Sequence, residues 1–199
     1  MAVTLAACAG GAAETAATPA PAAAPEETAQ PQTAEPVTEQ NEERVLVVYF
    51  SATGTTKRVA EMIADITGAD LYEIKAAQEY TEADLDWHDS NSRTTHEQND
   101  PEVRPEIGSD PVSLEGYTTV YIGYPIWWGE EPRIMDTFVE SSSFEGITVI
   151  PFCTSSSSGM GRSGKNLEEN AGSGTWLEGR RFGAGASEEE LKSWIDGQQ

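Results

Sequence analysis

The chain has 199 residues, which suits one domain with an appendage, and a formal charge of −22 from 12 basic and 34 acidic residues. Residues 1–43 contain seven glutamates and no basic residue, so residues 44–199 keep −15 of that charge. Because nucleic acids are bound by clustered lysine and arginine, this balance argues against nucleic acid as a partner. A basic or amphipathic partner protein is expected instead, and no apolar run approaches the ~20 residues that cross a bilayer.

The N-terminal segment combines a cysteine with a low-complexity stretch. Cys8 follows Leu5-Ala6-Ala7, which resembles the lipobox of bacterial lipoproteins, where the cysteine is lipidated and becomes the mature N-terminus. Met1–Thr4 supplies neither the basic region nor the apolar stretch of a secretory signal, so either the start is placed too late or the motif arose by chance. Residues 9–43 are nearly all Ala, Pro, Thr, Glu, Gln and Gly, a composition that predicts an extended, disordered spacer.

We therefore interpret residues 1–43 as a lipobox remnant and linker, and residues 44–199 as the folded domain. With Cys8 lipidated, the protein is expected in the cell envelope, on the outer face of the cytoplasmic membrane, where the lipid anchor contacts the membrane surface. Without lipidation, a cytoplasmic location is expected.

From Arg44 onward, strand and helix patterns alternate. Val45–Phe50 is a continuous apolar run that predicts a strand buried on both faces, and Thr56–Thr67 predicts a helix that ends at Gly68. The remaining predicted strands are Leu71–Lys75, Thr119–Gly123, Thr148–Cys153 and an edge strand over Trp176–Phe182, and the remaining helices are Pro132–Glu140, Lys165–Ala171 and Ser187–Ile195.

This alternation indicates a parallel sheet covered by helices on both faces. The length of residues 44–199 suits a five-stranded, doubly wound α/β domain. In such sheets ligands bind beyond the carboxyl ends of the strands, at the switch point, so the loops after the first, third and fourth strands are the candidates. Cys153 ends an apolar run and is expected to be a buried strand thiol, without a disulfide to Cys8.

Loop one, Ser51-Ala52-Thr53-Gly54-Thr55-Thr56, stands directly between a predicted buried strand and a helix. Its backbone N–H groups and the helix dipole are expected to form an anion site, to which four hydroxyls add donors. A loop for nucleoside triphosphates needs Gly-Lys-Ser/Thr, whereas loop one contains no lysine or arginine. A neutral hydroxyl cage of this kind favours one terminal phosphate monoester.

Loop two, residues 123–132, contains Trp127 and Trp128. Neighbouring side chains point apart, so at least one indole is expected to be exposed to a ligand, and an indole is suited to cover a flat aromatic ring. Loop three, residues 154–161, has small residues that allow close approach to the far side of such a ring. The candidate contacts are Pro125, Ile126, Trp127, Trp128 and Gly129 in loop two, and Thr154, Ser155, Ser156, Ser157, Gly159 and Met160 in loop three.

A second pattern in loop three, Gly159-x-Gly161-x-x-Gly164, matches the dinucleotide-binding fingerprint literally. Too little chain follows it to complete a mononucleotide-binding half, and loop one already provides a phosphate site. We therefore interpret loop three as part of the ring site.

Loop one resembles the FMN-phosphate loop of flavodoxins, with Ser first, then Thr-Gly and a closing Thr. Loop two is similar to the Tyr-Pro-x-Trp-Trp loop of a flavodoxin-like subgroup, in which this loop contacts the isoalloxazine ring. The resemblance implies an α/β, flavodoxin-like three-layer sandwich with a five-stranded parallel sheet in the order 2-1-3-4-5. It also implies FMN as the cofactor, with loop one at the phosphate and loops two and three at the ring.

The resemblance leaves open where the electrons go. An electron carrier that docks on redox partner proteins is favoured, because in flavoproteins the isoalloxazine performs the chemistry, and no residue is predicted to be catalytic. The alternatives are an NAD(P)H-dependent quinone or flavin reductase on the same fold, and a cell-surface domain that has lost the flavin.

A long insertion at about 78–110 follows the second strand and is expected to hold a helix or a functional flap. The same flavodoxin-like subgroup carries a similar insertion. Arg93 and Arg104 in this insertion are each expected to pair with a nearby carboxylate. His88 and His96 lie seven residues apart without the spacing of known zinc sites, so no metal is predicted.

Overall fold

A computed structural model of the chain describes residues 43–198, which form six strands and five helices. The strands are β1 Val45–Phe50, β2 Asp70–Ile74, β3 Thr119–Pro125, β4 Thr148–Thr154, β5 Thr175–Trp176 and β6 Arg180–Phe182. The helices are α1 Thr55–Thr67, α2 Arg93–Asn99, α3 Arg133–Glu140, α4 Ser163–Ala171 and α5 Glu188–Asp196. Cys8 and the predicted linker, apart from its last residue, lie outside the described residues and stay predictions.

The strands form one parallel sheet in the order β2-β1-β3-β4-β5, with β6 also paired to β4. The predicted order and fold class are therefore confirmed. The single edge strand predicted over Trp176–Phe182 is wrong, because two short strands pair with successive parts of β4. Pro151 of β4 lies at the level of the break, and proline has no N–H to donate to a sheet ladder.

Alternate residues of β1 supply the two faces of the sheet. Leu46, Val48 and Phe50 pack into the cluster that contains α3 and α4, whereas Val47 and Tyr49 pack into the cluster that contains α1 and α5. All five side chains are at most 3% exposed. The resulting three layers explain why β1 is apolar throughout, since neither of its faces meets water.

The insertion is closed at its base and contains a helix. An isolated antiparallel bridge joins Ala76 to Ile107, and Gly108 N donates to Lys75 O at 2.7 Å. Within it, α2 begins after Ser92, whose side chain accepts from Thr95 N and so caps the helix. None of the helices formed by residues 43–198 is long and apolar enough to cross a membrane.

Candidate functional site

Loop one connects β1 to α1 and is shaped by a local hydrogen bond. Gly54 N donates to Ser51 Oγ at 3.1 Å, and Gly54 has a φ of +85°, which glycine adopts without a steric penalty. Gly54 occupies the N-cap of α1 and has no side chain to cap it. The first N–H groups of a helix have no acceptor within the helix, so those of α1 face the loop as donors for an anion.

The two basic residues that follow loop one, Lys57 and Arg58, have their partners outside the loop. Arg58 Nη2 donates to the carbonyls of Ala184 and Ala186 at 2.6 and 3.0 Å, and Lys57 lies 4.0 Å from Glu61 one turn along α1. The partners of both side chains thus lie outside loop one, and the neutral anion site predicted there stays a prediction.

Thr56 ties loop one to loop three. Its side chain is 1% exposed, and its Oγ1 lies 2.8 Å from Thr154 Oγ1. Thr53, at the tip of loop one, is exposed, while Ser51 and Thr55 are half-buried. The hydroxyls of loop one thus reach from the protein interior to the surface.

Loop two contains a tight hairpin. Trp127 N donates to Glu130 O at 2.9 Å, and Glu130 N donates back to Trp127 O at 3.0 Å. The two residues between them, Trp128 and Gly129, have φ values of +51° and +87°, the arrangement of a type I′ turn. Such turns favour Asn or Gly at both positions, and Trp128 is the one non-glycine residue with positive φ in the described part of the chain.

The two tryptophans of loop two have different environments. Trp127 packs edge-on against Phe50 and Tyr80, with ring centroids 5.6 and 5.3 Å away. Trp128 is 46% exposed. Sequence alone does not decide which indole is free to meet a ligand, and the structure indicates Trp128.

A cavity of about 300 Å³ brings together residues of loop one, loop two and the insertion. Of the predicted site residues, Thr53, Ile126, Trp127 and Trp128 line it. The insertion adds Leu85, Trp87 and Thr94, none of which was predicted. Their only signal in the sequence is a pair of large apolar residues set among aspartates, Asp84-Leu85-Asp86-Trp87.

Loop three lies beside the cavity and does not line it. Arg181 Nη2 donates to Ser155 O at 2.7 Å, and Ser155 Oγ bonds to Ser158 O. The Met160 side chain is directed toward Gly179, where an added Cβ would lie 2.7 Å from its sulfur. The Met160 side chain is thus packed beside Gly179, and its predicted contact with the ring stays a prediction. Contact of the exposed Ser156, Ser157 and Gly159 with the ring stays a prediction.

The fold has clear matches among known proteins. A flavodoxin family model matches residues 44–198. The chain belongs to the flavodoxin family. No curated protein matches it.

Three solved structures show how this flavodoxin-family chain compares with others. A candidate flavoprotein from Bacteroides uniformis ATCC 8492 is 49% identical, over 77% of this chain and 98% of that chain, with a TM-score of 0.74. Another, from Bacteroides eggerthii DSM 20697, is 46% identical, over 77% of this chain and 96% of that chain, with a TM-score of 0.73. A flavoprotein from Lactobacillus acidophilus NCFM, solved in complex with FMN, is 22% identical, over 77% of this chain and 99% of that chain. Its TM-score is 0.60, and it shares the fold.

In this flavodoxin-family domain, a buried polar cluster lies beneath loop two. Gln98 of α2 donates through Nε2 to the carbonyls of Trp127 and Glu131, at 3.0 and 3.2 Å. Arg133, 8% exposed at its side chain, lies 3.7 Å from Glu131 and 3.6 Å from Asp136. The cluster joins the insertion to loop two and α3.

Burial dominates the electrostatics of that cluster. The Glu131 side chain is 1% exposed, and its desolvation raises the pKa to about 7, even though Asn166 Nδ2 donates to its oxygens at 3.2 and 3.3 Å. Desolvation also raises the pKa of Asp136, against the hydrogen bond from Asn170. Arg133 is the cation that lies within 4 Å of both buried carboxylates.

The two arginines singled out in the insertion bind carboxylates. Arg93 Nε donates to Glu97 at 2.7 Å, and Arg104 binds Glu140 through two bonds of 2.6 and 2.8 Å, as expected. Cys153 is fully buried, as predicted for a strand thiol. Among residues 43–198 no three His, Cys, Asp or Glu side chains are grouped as metal ligands would be.

Proposed function

We propose that this chain is an FMN-binding electron-transfer protein of the cell envelope. The observation that carries the proposal is the meeting of two unlike sites at one edge of the sheet. A hydroxyl loop at an open helix N-terminus adjoins an aromatic cavity, and Thr53 belongs to both. A planar ring with a phosphate tail has this combination of apolar and anionic ends.

Loop one suits the phosphate of FMN. The N–H groups of the first turn of α1 are unpaired within the helix, and the hydroxyls around them would donate to a doubly charged monoester without placing a cation beside it. FAD would present a diphosphate with an adenosine group attached, for which loop one offers no further contacts. Ser51, Thr53 and Thr55 are the side chains that would hold the phosphate, with Thr56 as their buried support.

The aromatic cavity suits the isoalloxazine ring, which supplies the electron-accepting chemistry when FMN is bound. Trp128 would lie against the ring, and Ile126 and Trp127 would exclude water from it. The two Bacteroides candidate flavoproteins, at 49% and 46% identity, support a flavin as the ligand.

The acidic charge of residues 44–199, −15, supports a basic redox partner protein, which such a field would steer toward the domain. Cys8 and the linker up to residue 43 support attachment to the outer face of the cytoplasmic membrane. Electron transfer in the envelope is thus the function that the site, the charge and the N-terminal motif favour together.

The visible spectrum of the purified full chain, with mass analysis of the released chromophore, tests this proposal. FMN is the expected chromophore. The double variant Thr53→Ala/Thr56→Ala is expected to weaken FMN binding about 100-fold and riboflavin binding less than about threefold, because only FMN carries the phosphate. Thr67→Ala, at the far end of α1, is the matched control. A colourless protein that does not quench added FMN would refute the proposal, and equal losses for both flavins would remove the phosphate role of loop one.

A further inference from the structure

The ring site of the proposed function has one aromatic wall in loop two and lacks a matching wall in loop three. Residues 154–161 contain no aromatic side chain. The largest of them, Met160, packs toward Gly164 and Gly179, and Ser155 is held by Arg181. A flat ring that lay only on Trp128 would leave its second face to water.

The insertion offers apolar residues on the same cavity. Leu85 and Trp87 line it together with Trp128 and Thr53. Trp87 is 68% exposed, more than any other large hydrophobic side chain in the described part of the chain. The ring of His88 packs on the Trp87 indole with centroids 3.4 Å apart, so one face of the indole is already supported.

Several hydrogen bonds hold this part of the insertion in place. Thr94 N and Thr94 Oγ1 donate to Asp84 O at 3.2 and 2.6 Å, which fixes the turn that carries Leu85. At the other end of α2, Gln98 is bonded to the carbonyls of Trp127 and Glu131. The turn that carries Leu85 and the helix α2 are therefore both tied to neighbouring segments, which pre-organises the cavity for a ligand.

The size of the cavity agrees with a ring and not with a whole nucleotide. Its volume of about 300 Å³ is at the lower end for ligand pockets. Thr53 connects it to loop one, so a ligand that fills it with a tricyclic ring can direct its tail to the helix N-terminus.

We propose that Leu85 and Trp87 of the insertion form the second wall of the flavin ring site, so that the isoalloxazine binds between Trp87 and Trp128. The inference rests on the proposed function and adds a binding role for the insertion. It assigns to the turn before α2 the far face of the ring, which the small residues of loop three leave uncovered.

Titration of the full-length apoprotein with FMN and with riboflavin tests the inference. Trp87→Ala is expected to raise the Kd of both flavins by the same factor, about tenfold, because the lost contact is with the ring they share. Trp87→Phe is expected to recover most of the affinity. Leu71→Ala, at another exposed apolar residue that lies on β2, is the matched control and is expected to change both Kd values less than about twofold.

The outcomes separate this inference from the function on which it rests. If Trp87→Ala leaves the Kd of riboflavin unchanged, whether or not it raises the Kd of FMN, Trp87 is not a wall of the ring site. The proposal that the chain binds FMN is not affected by that result. Equal losses for both flavins support the second wall, even where the loop-one variants show that the phosphate is held elsewhere. Failure of the unmodified apoprotein to bind either flavin overturns both proposals. The urea midpoint of Trp87→Ala, expected to equal that of the unmodified chain, shows that the fold is intact.

Discussion

Loop one and loop two lie at the same edge of the sheet but are built in opposite ways. Loop one is shaped by a bond between neighbours, from Gly54 N to Ser51 Oγ, and contains no charged side chain. Loop two is anchored from below by Gln98, which is 29 residues away in sequence from Trp127, and by a buried cluster around Arg133.

The contrast in construction suits a site that binds two chemically unlike ends of one ligand. The phosphate end requires donors in a fixed local geometry, which a strand, a turn and a helix N-terminus provide. The ring end requires broad apolar walls, which come from segments far apart in the chain and must be held by long-range contacts. Substitutions below loop two are therefore expected to affect stability and both flavins, and substitutions in loop one to weaken FMN binding much more than riboflavin binding.

The largest effect is expected for Arg133→Met, which leaves Glu131 and Asp136 buried without their cation. The free energy of unfolding at pH 8, measured by urea denaturation, should fall by about 3–5 kcal/mol. Arg162→Met removes an exposed pair with Glu169 and should cost less than about 1 kcal/mol. A loss below that control value for Arg133→Met would mean that the cluster does not anchor loop two.

Glu131→Gln is expected to have the next largest effect, and it depends on pH. Burial raises the pKa of the native carboxyl to about 7 from an ordinary value of 4.5. The stability that this group contributes in its protonated form is therefore present below about pH 4.5 and is lost as the pH rises through about 7. The free energy of unfolding of the variant, relative to that of the unmodified chain, should therefore rise by up to about 3 kcal/mol from pH 4 to pH 8.

Glu140→Gln provides a control of opposite sign for that series. The hydrogen bonds from Arg104 lower the pKa of the Glu140 carboxyl, so its contribution is present at neutral pH and is lost on acidification. Urea denaturation from pH 4 to pH 8 compares the three proteins. Parallel curves for Glu131→Gln and the unmodified chain would show that burial does not perturb Glu131.

The smallest of these effects is expected for Gln98→Ala, which removes the hydrogen bonds from Gln98 Nε2 to the carbonyls of Trp127 and Glu131. The Trp127 carbonyl keeps its bond from Glu130 N. Stability should fall by about 2 kcal/mol, and the Kd of FMN and riboflavin should rise by the same factor. Asn91→Ala, whose side chain bonds only within its own turn, to Asp89, is the control. A rise in the Kd of FMN alone would contradict the division between the two loops.

The same division explains how much the sequence predicted. The helices, the strands and loop one follow from apolar periodicity and short motifs, because the patterns that define them join near neighbours. The strand order follows from the resemblance to flavodoxins, since strand pairing joins residues that are far apart in sequence. The choice between Trp127 and Trp128 follows from neither, because it depends on Phe50 and Tyr80 meeting Trp127 in space.

Three further features could not be predicted from the sequence, because each depends on residues that are not close along the chain or follow no regular period. Leu85 and Trp87 follow no helix or strand period, so nothing placed them on the cavity. The Met160 side chain packs beside Gly179, which lies between the two edge strands and 19 residues further along the chain. The break in the edge strand depends on Pro151 in the adjacent strand, and a pattern within the edge residues does not show it.

The buried Cys153 in β4 has a consequence for where such a domain can operate. Burial raises the pKa of its thiol to about 12, so the thiolate, the form that reacts with oxidants and disulfides, is scarce at neutral pH. Cys153 is the only cysteine within residues 43–198, and it forms no disulfide there. The domain formed by these residues therefore folds without a disulfide, and its stability is expected to be the same with and without a thiol reductant.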